Sequence, residues 1–73
     1  MRLIWQFRWG SHGDEWWCDM PYERAIELES LFVNSTSVYA YIGVYRYDFV
    51  YMLQLNLATG FTRPVRRLVV VNM

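Results

Sequence analysis

Only one stretch of this chain, from about Pro21 to Val33, spaces its apolar side chains at a helical interval. On either side the apolar period falls to two, so the order reads strand, strand, helix and then four strands. That is the α+β class: one helix packed on a strongly curved antiparallel sheet of about six strands, a half-barrel. Residues 2–9 alternate loosely and are rich in aromatic and branched side chains. Gly10-Ser11-His12-Gly13-Asp14 is a loop by its turn residues, and Glu15 to Asp19 returns as a short strand. Pro21 suits the first helical position, with Asp19 and Glu23 complementing the helix dipole.

Within the helix, Tyr22, Ala25, Ile26, Leu28, Phe32 and Val33 gather on one broad face, and Glu23, Glu27 and Ser30 oppose it. Glu29 interrupts the apolar face, where a carboxylate is costly unless it finds a hydrogen-bonding partner. Beyond Asn34, the odd positions Tyr39, Tyr41, Tyr45, Tyr47 and Phe49 are aromatic, while Val38, Ala40, Ile42 and Val44 are aliphatic. This predicts a strand pair with one face of each kind, bent near Gly43. Leu53 to Leu57 alternates leucines, expected toward a core, with amides toward the other face. Ala58-Thr59-Gly60 reads as a hairpin turn with Gly60 at positive φ. The last strand, Phe61 to about Val71, carries Arg63, Val65 and Arg67 on one side, and Pro64 points to an edge position.

Seventy-three residues hold one domain, 1–73, expected to be a piece of a larger protein. So short a chain needs a dense core, and 4 Trp, 6 Tyr and 4 Phe supply one at roughly 150–250 Å² buried per ring. Cys18 is the only cysteine, which excludes an internal disulfide and fits a reducing compartment, cytoplasmic or nuclear. No uncharged apolar stretch approaches the ~18 residues of a membrane span, and no leader pattern opens the chain. A soluble monomer is expected.

The net charge of zero conceals an asymmetry. Residues 1–37 set Arg2, Arg8 and Arg24 against Asp14, Glu15, Asp19, Glu23, Glu27 and Glu29. Residues 38–73 set Arg46, Arg63, Arg66 and Arg67 against Asp48 alone. Arginine suits bidentate phosphate recognition, but the chain lacks the broad basic surface of a duplex binder. Catalysis is poorly supported: His12 beside Asp14 could orient a base for Ser11 or Cys18, yet an exposed loop histidine and an apolar cysteine explain them better. One His and one Cys make no metal site, and Gly10-x-x-Gly13 lacks the lysine and helix of a phosphate loop. No cofactor is implied.

Tyr45, Asp48-Phe49, Met52, Gln54, Asn56, Gly60, Arg63, Arg66 and Arg67 then recur at spacings that bring a ring, an amide and guanidinium groups together across strands. Such a cleft suits an adenine-plus-phosphate ligand. Arg66 and Arg67 equally suit a solvated edge strand protected by charge. Together with Trp5, Trp17, Glu29 and Phe7, these residues resemble the WWE domain over residues 3–68. Trp16 is the rival of Trp17 for the second tryptophan, and the interval to Glu29 favours Trp17.

The resemblance implies a non-catalytic module that binds ADP-ribose units of modified proteins, either terminal ADP-ribose or iso-ADP-ribose within poly(ADP-ribose). Such modules accompany ubiquitin-ligase or ADP-ribosyltransferase domains. It places Tyr45 and Gln54 at the adenine-ribose end and Arg63 at phosphate, with Phe7, Trp17, Arg66 and Arg67 as further ligand-binding residues. Trp5, Glu29, Asp48 and Gly60 take structural roles. Phe7 stands where poly(ADP-ribose) readers have Tyr, and the basic residue they carry beyond the last strand has no counterpart before Met73, so both ligand forms stay open. The alternative is a protein–protein interaction module that has lost ADP-ribose binding.

Overall fold

The computed structural model describes residues 2–10, 13 and 15–71; Ser11, His12 and Asp14, weighed above for catalysis, lie outside them. Strands β1 (Arg2–Trp9) and β2 (Trp16–Asp19) precede the 13-residue helix α1 (Tyr22–Asn34). Strands β3 (Tyr39–Ile42), β4 (Tyr45–Asp48), β5 (Leu53–Asn56) and β6 (Thr62–Val70) follow it. All pairings are antiparallel, in the order β2-β1-β6-β5-β4-β3, so the six-stranded sheet is open and does not close into a barrel. The fold is α+β, one helix on one sheet.

Pro21 lies one position outside the helix, as its N-cap, with φ −51 and ψ 143. Its carbonyl accepts from the Ala25 amide, which begins the helical ladder, and the Ser35 amide closes it on Leu31. Leu28 is the one fully buried helical side chain, flanked by Ala25, Leu31 and Phe32. The buried arc is thus narrower than the apolar pattern, and it includes Leu31. Tyr22, Ile26 and Val33, expected inside, are exposed. At ~100° per residue they lie about 120–160° round from Leu28, beyond the reach of a single sheet.

The core joins Trp5, Met20, Leu28, Ala40, Tyr47 and Val65. Phe32 meets Trp5 at 5.4 Å and Phe49 at 5.2 Å, both edge to face, a geometry the ring quadrupoles favour.

Register corrects two further expectations about the sheet. Ile42 pairs with Tyr45 across a two-residue turn whose Gly43 has φ 58, so odd residues of β3 stand opposite even residues of β4. Tyr45 and Tyr47 therefore share the inner face with Ile42 and Ala40, while Tyr39 and Tyr41 share the outer face with Arg46 and Asp48. Each strand alternates as expected, but the hairpin exchanges the faces. On β5, Gln54 pairs with Tyr47 and Asn56 with Tyr45, so the amides turn inward and Leu53 and Leu55 outward, the reverse of the expectation. The buried Gln54 tolerates this because its Nε2 donates to the Tyr47 hydroxyl at 2.8 Å.

Strand β6 is central, not an edge, despite Pro64. Residues 65–70 pair with β1, and residues 62–64 pair with β5. Pro64 falls where β6 changes partners, so its missing N–H breaks no continuous ladder. Gly60, at φ 77, closes the β5–β6 turn, with its amide donating to the Asn56 carbonyl at 2.7 Å. The Asn56 side chain accepts from the amides of Ala58 and Thr59 in the same turn.

Candidate functional site

Arg63 is positioned by its neighbours before any ligand is considered. Odd backbone groups of β1 face β2, as in the Met20 amide donating to the Trp5 carbonyl at 2.9 Å, so even ones face β6. The β1–β6 register ends at Phe7 and Val65, so the next even carbonyl, that of Arg8, lies beyond the last pair, and Pro64, the residue before Val65, has no N–H to offer it. Arg63 Nη1 reaches that carbonyl at 3.5 Å instead. The guanidinium lies over Trp9 at 4.1 Å and Phe61 at 4.9 Å from the ring centroids, held between two aromatic faces. Among the described residues no carboxylate forms a salt bridge with it.

Directly across the β5–β6 ladder from Arg63 is Gln54, and Tyr45 pairs with Asn56 one strand further on. Tyr45, Gln54, Asn56, Thr59, Phe61 and Arg63 line a concave cavity of about 340 Å³. The Gln54 amide is anchored at one end by Tyr47, which leaves its carbonyl oxygen without a protein partner among the described residues. Burial raises the Tyr47 hydroxyl above the ordinary tyrosine pKa of 10.0, against the opposing pull of Gln54 and Arg24, so it stays neutral as a hydrogen-bonding anchor. The cavity offers a ring, an amide edge and an uncompensated guanidinium on three adjacent strands.

The other candidate residues lie elsewhere. Trp17 pairs with Arg8, and Arg66 with Gln6, on the opposite, convex face. There the Arg66 guanidinium covers the Trp17 ring at 4.3 Å while its Nε donates to Gln6 Oε1 at 2.7 Å. Arg8 approaches the same ring at 5.3 Å and pairs with Glu15 at 3.4 Å. Period two explains the separation, since neighbours in sequence such as Arg66 and Arg67 cannot share a face. Arg67 is on the inner face but is bound by Glu29 in a two-point contact, both distances 2.8 Å. Phe7 faces inward, opposite Val65, packs on the core and meets Trp9 edge to face at 6.2 Å.

Glu29 Oε1 also accepts from the buried Trp5 indole at 2.9 Å. The Arg67 hydrogen bond, with help from Trp5 and the Arg67 charge, outweighs burial and lowers the Glu29 pKa; Arg67 is correspondingly raised. Asp48 Oδ1 accepts from the amides of Val50 and Tyr51, holding the β4–β5 loop in which Met52 adopts φ 53. Thr59 and Phe61 join the pocket lining, and Trp9 backs Arg63, without having been singled out. Phe61 and Trp9 share the inner parity of Arg63, a signal the strand pattern already carried.

What the fold and pocket define is a small α+β recognition module with a polar, aromatic-rimmed cavity on its concave face. The chain belongs to the WWE family: the WWE domain model matches residues 3–67, nearly its whole length. WWE domains are recognition modules for ADP-ribose or protein partners. No curated protein matches the chain significantly.

Proposed function

We propose that the concave pocket binds an ADP-ribose unit. The observation that carries this reading is the convergence of Tyr45, Gln54 and Arg63 on one cavity, with Arg63 held between two rings and free of any carboxylate among the described residues. Adenine packs against Tyr45, and its polar edge meets the Gln54 amide. The phosphate pairs with Arg63. Trp17 and Arg66 take no part, because they stand on the other face, and Arg67 serves the fold through Glu29. Such a module reads ADP-ribosylated proteins on behalf of whatever catalytic domains accompany it.

Calorimetric titration with ADP-ribose tests this. A charge-assisted contact contributes ~1.5–3 kcal/mol, so Arg63→Ala should weaken binding roughly 10–150-fold. Absence of binding by the unaltered chain up to millimolar ligand supports the second reading, a protein-interaction module. One observation favours that reading: Tyr22, Ile26 and Leu3 expose an apolar groove of about 340 Å³ between α1 and β1.

A further inference from the structure

Helix α1 has a second apolar face that the sheet leaves uncovered. Tyr22, Ile26 and Val33 fall within about 40° of one another round the helix axis, well away from Leu28. They are 78%, 51% and 57% exposed. Leu3, on the inner face of β1, and its partner Val69 on β6 carry further exposed apolar surface onto the sheet. The groove of about 340 Å³ runs between Tyr22 and Ile26 on the helix and Leu3 on the strand. A neighbouring hollow of about 270 Å³ shares Leu3, Tyr22 and Ala25 and continues to Asp19 and Met20. Glu29 also lines the groove, but Trp5 and Arg67 already satisfy its carboxylate, so covering it strands no lone charge.

The backbone of β1 decides what shape of partner fits. Its β6 side is paired along Arg2–Phe7, and its β2 side is paired from Gln6 onward, with the Trp5 carbonyl taken by the Met20 amide. Among the described residues, Leu3 alone therefore turns open backbone groups toward the groove. One residue of ladder does not hold an added strand. A helix satisfies its own backbone and needs only apolar side chains one turn apart. The stripe from Tyr22 to Val33 is about 17 Å long at 1.5 Å per residue, which matches about three turns of a partner helix.

Charge decides the chemistry of its flanks. Glu23 and Glu27 stand one helical turn apart beside the stripe, and no described cation forms a salt bridge with either. Together with Asp19 they face Arg2 alone among the cations round the groove. An acidic rim of this kind attracts a basic flank and repels nucleic acid and anionic lipid. It also disfavours a second copy seated helix to helix, which brings Glu23 and Glu27 of both chains together.

We propose that the groove between α1 and β1 docks a basic amphipathic helix of a protein partner. Its apolar face lies on Tyr22, Ile26 and Leu3, and its lysines or arginines meet Glu23 and Glu27. The groove shares no lining residue with the concave pocket, so this docking is independent of ADP-ribose binding.

The test is NMR titration of the whole chain with side-chain-stapled peptides of about three helical turns, the staple holding so short a helix. One peptide carries leucines on one face and lysines on both flanks. A second has glutamates for the lysines, and a third has serines for the leucines. Expected is saturable binding of the lysine–leucine peptide alone, with amide shifts centred on Leu3, Tyr22 and Ile26 and with affinity falling as salt rises. Tyr22→Ala removes an exposed ring without touching the core and should weaken that binding roughly tenfold or more. Reversing the rim with Glu23→Lys and Glu27→Lys together should transfer the preference to the glutamate peptide. Equal binding of any two of the peptides by the unaltered chain overturns the proposal, as do shifts that fall outside the groove. Absence of binding up to millimolar lysine–leucine peptide overturns it too. Sedimentation showing a dimer that Ile26→Glu abolishes assigns the groove to a second copy instead, and equally overturns it.

Discussion

Arg67 and Glu29 meet in a two-point contact, Nε to Oε1 and Nη2 to Oε2, each at 2.8 Å, and this joins the central strand β6 to the helix. The same carboxylate takes the indole proton of Trp5, which is 1% exposed. One acidic side chain thereby satisfies the buried Trp5 indole and ties the partly exposed Arg67 to the helix.

Glu29→Ala should therefore lower the melting temperature well below that of Glu27→Ala, by an equivalent of roughly 1–3 kcal/mol, since the Trp5 N–H would be buried without an acceptor. The folded pKa of Glu29 is depressed, chiefly by the Arg67 hydrogen bond, below the ordinary 4.5. Its contribution is thus present above pH 4.5 and lost as pH falls through the lower, folded value. Thermal melts across the acid range should show this loss in the unaltered chain and its absence in Glu29→Ala. Equal melting temperatures for the Glu29 and Glu27 variants would refute the role.

Tyr47→Phe should cost roughly 1–3 kcal/mol although it removes only one oxygen, because the buried Gln54 amide loses its partner. By the same bond, Gln54→Ala is expected to affect stability as well as ligand binding. The raised Tyr47 pKa, caused first by burial, has the opposite linkage sign to that of Glu29. Its stabilisation is complete below pH 10.0 and disappears as pH rises through the higher folded value. Phenolate absorbance should reveal one late-titrating tyrosine, coincident with alkaline unfolding and missing in Tyr47→Phe.

The two faces of the sheet separate the pocket residues from Trp17 and Arg66. Trp17→Ala and Arg66→Ala alter the convex surface, away from the concave pocket. ADP-ribose affinity in these variants should stay within roughly twofold of the unaltered chain. A loss comparable to that of Arg63→Ala would show that the ligand reaches round the sheet edge, contrary to the pocket described here.

The period of the chain, helical between Pro21 and Val33 and two elsewhere, carried the element order, the α+β class and the turns at Gly43 and Gly60, because these follow from local geometry. It also exposed Glu29 as a residue in need of partners, since a carboxylate inside an apolar arc is anomalous on sequence grounds alone. Which face each residue occupied was decided only in the sheet. The Gly43 turn exchanged the faces of the tyrosines, and a hydroxyl on β4 allowed the Gln54 amide to turn inward. Likewise, β6 became central because Pro64 fell where it changes partners. Arg66 and Arg67 are adjacent in sequence and opposite in space, one lying on Trp17 and the other bound to Glu29. Arg24 became a neighbour of Tyr45 only through the docking of helix on sheet. Alternation fixes that neighbouring residues differ in face, but cross-strand register and docking determine which face meets which, and these depend on contacts between residues far apart in the chain.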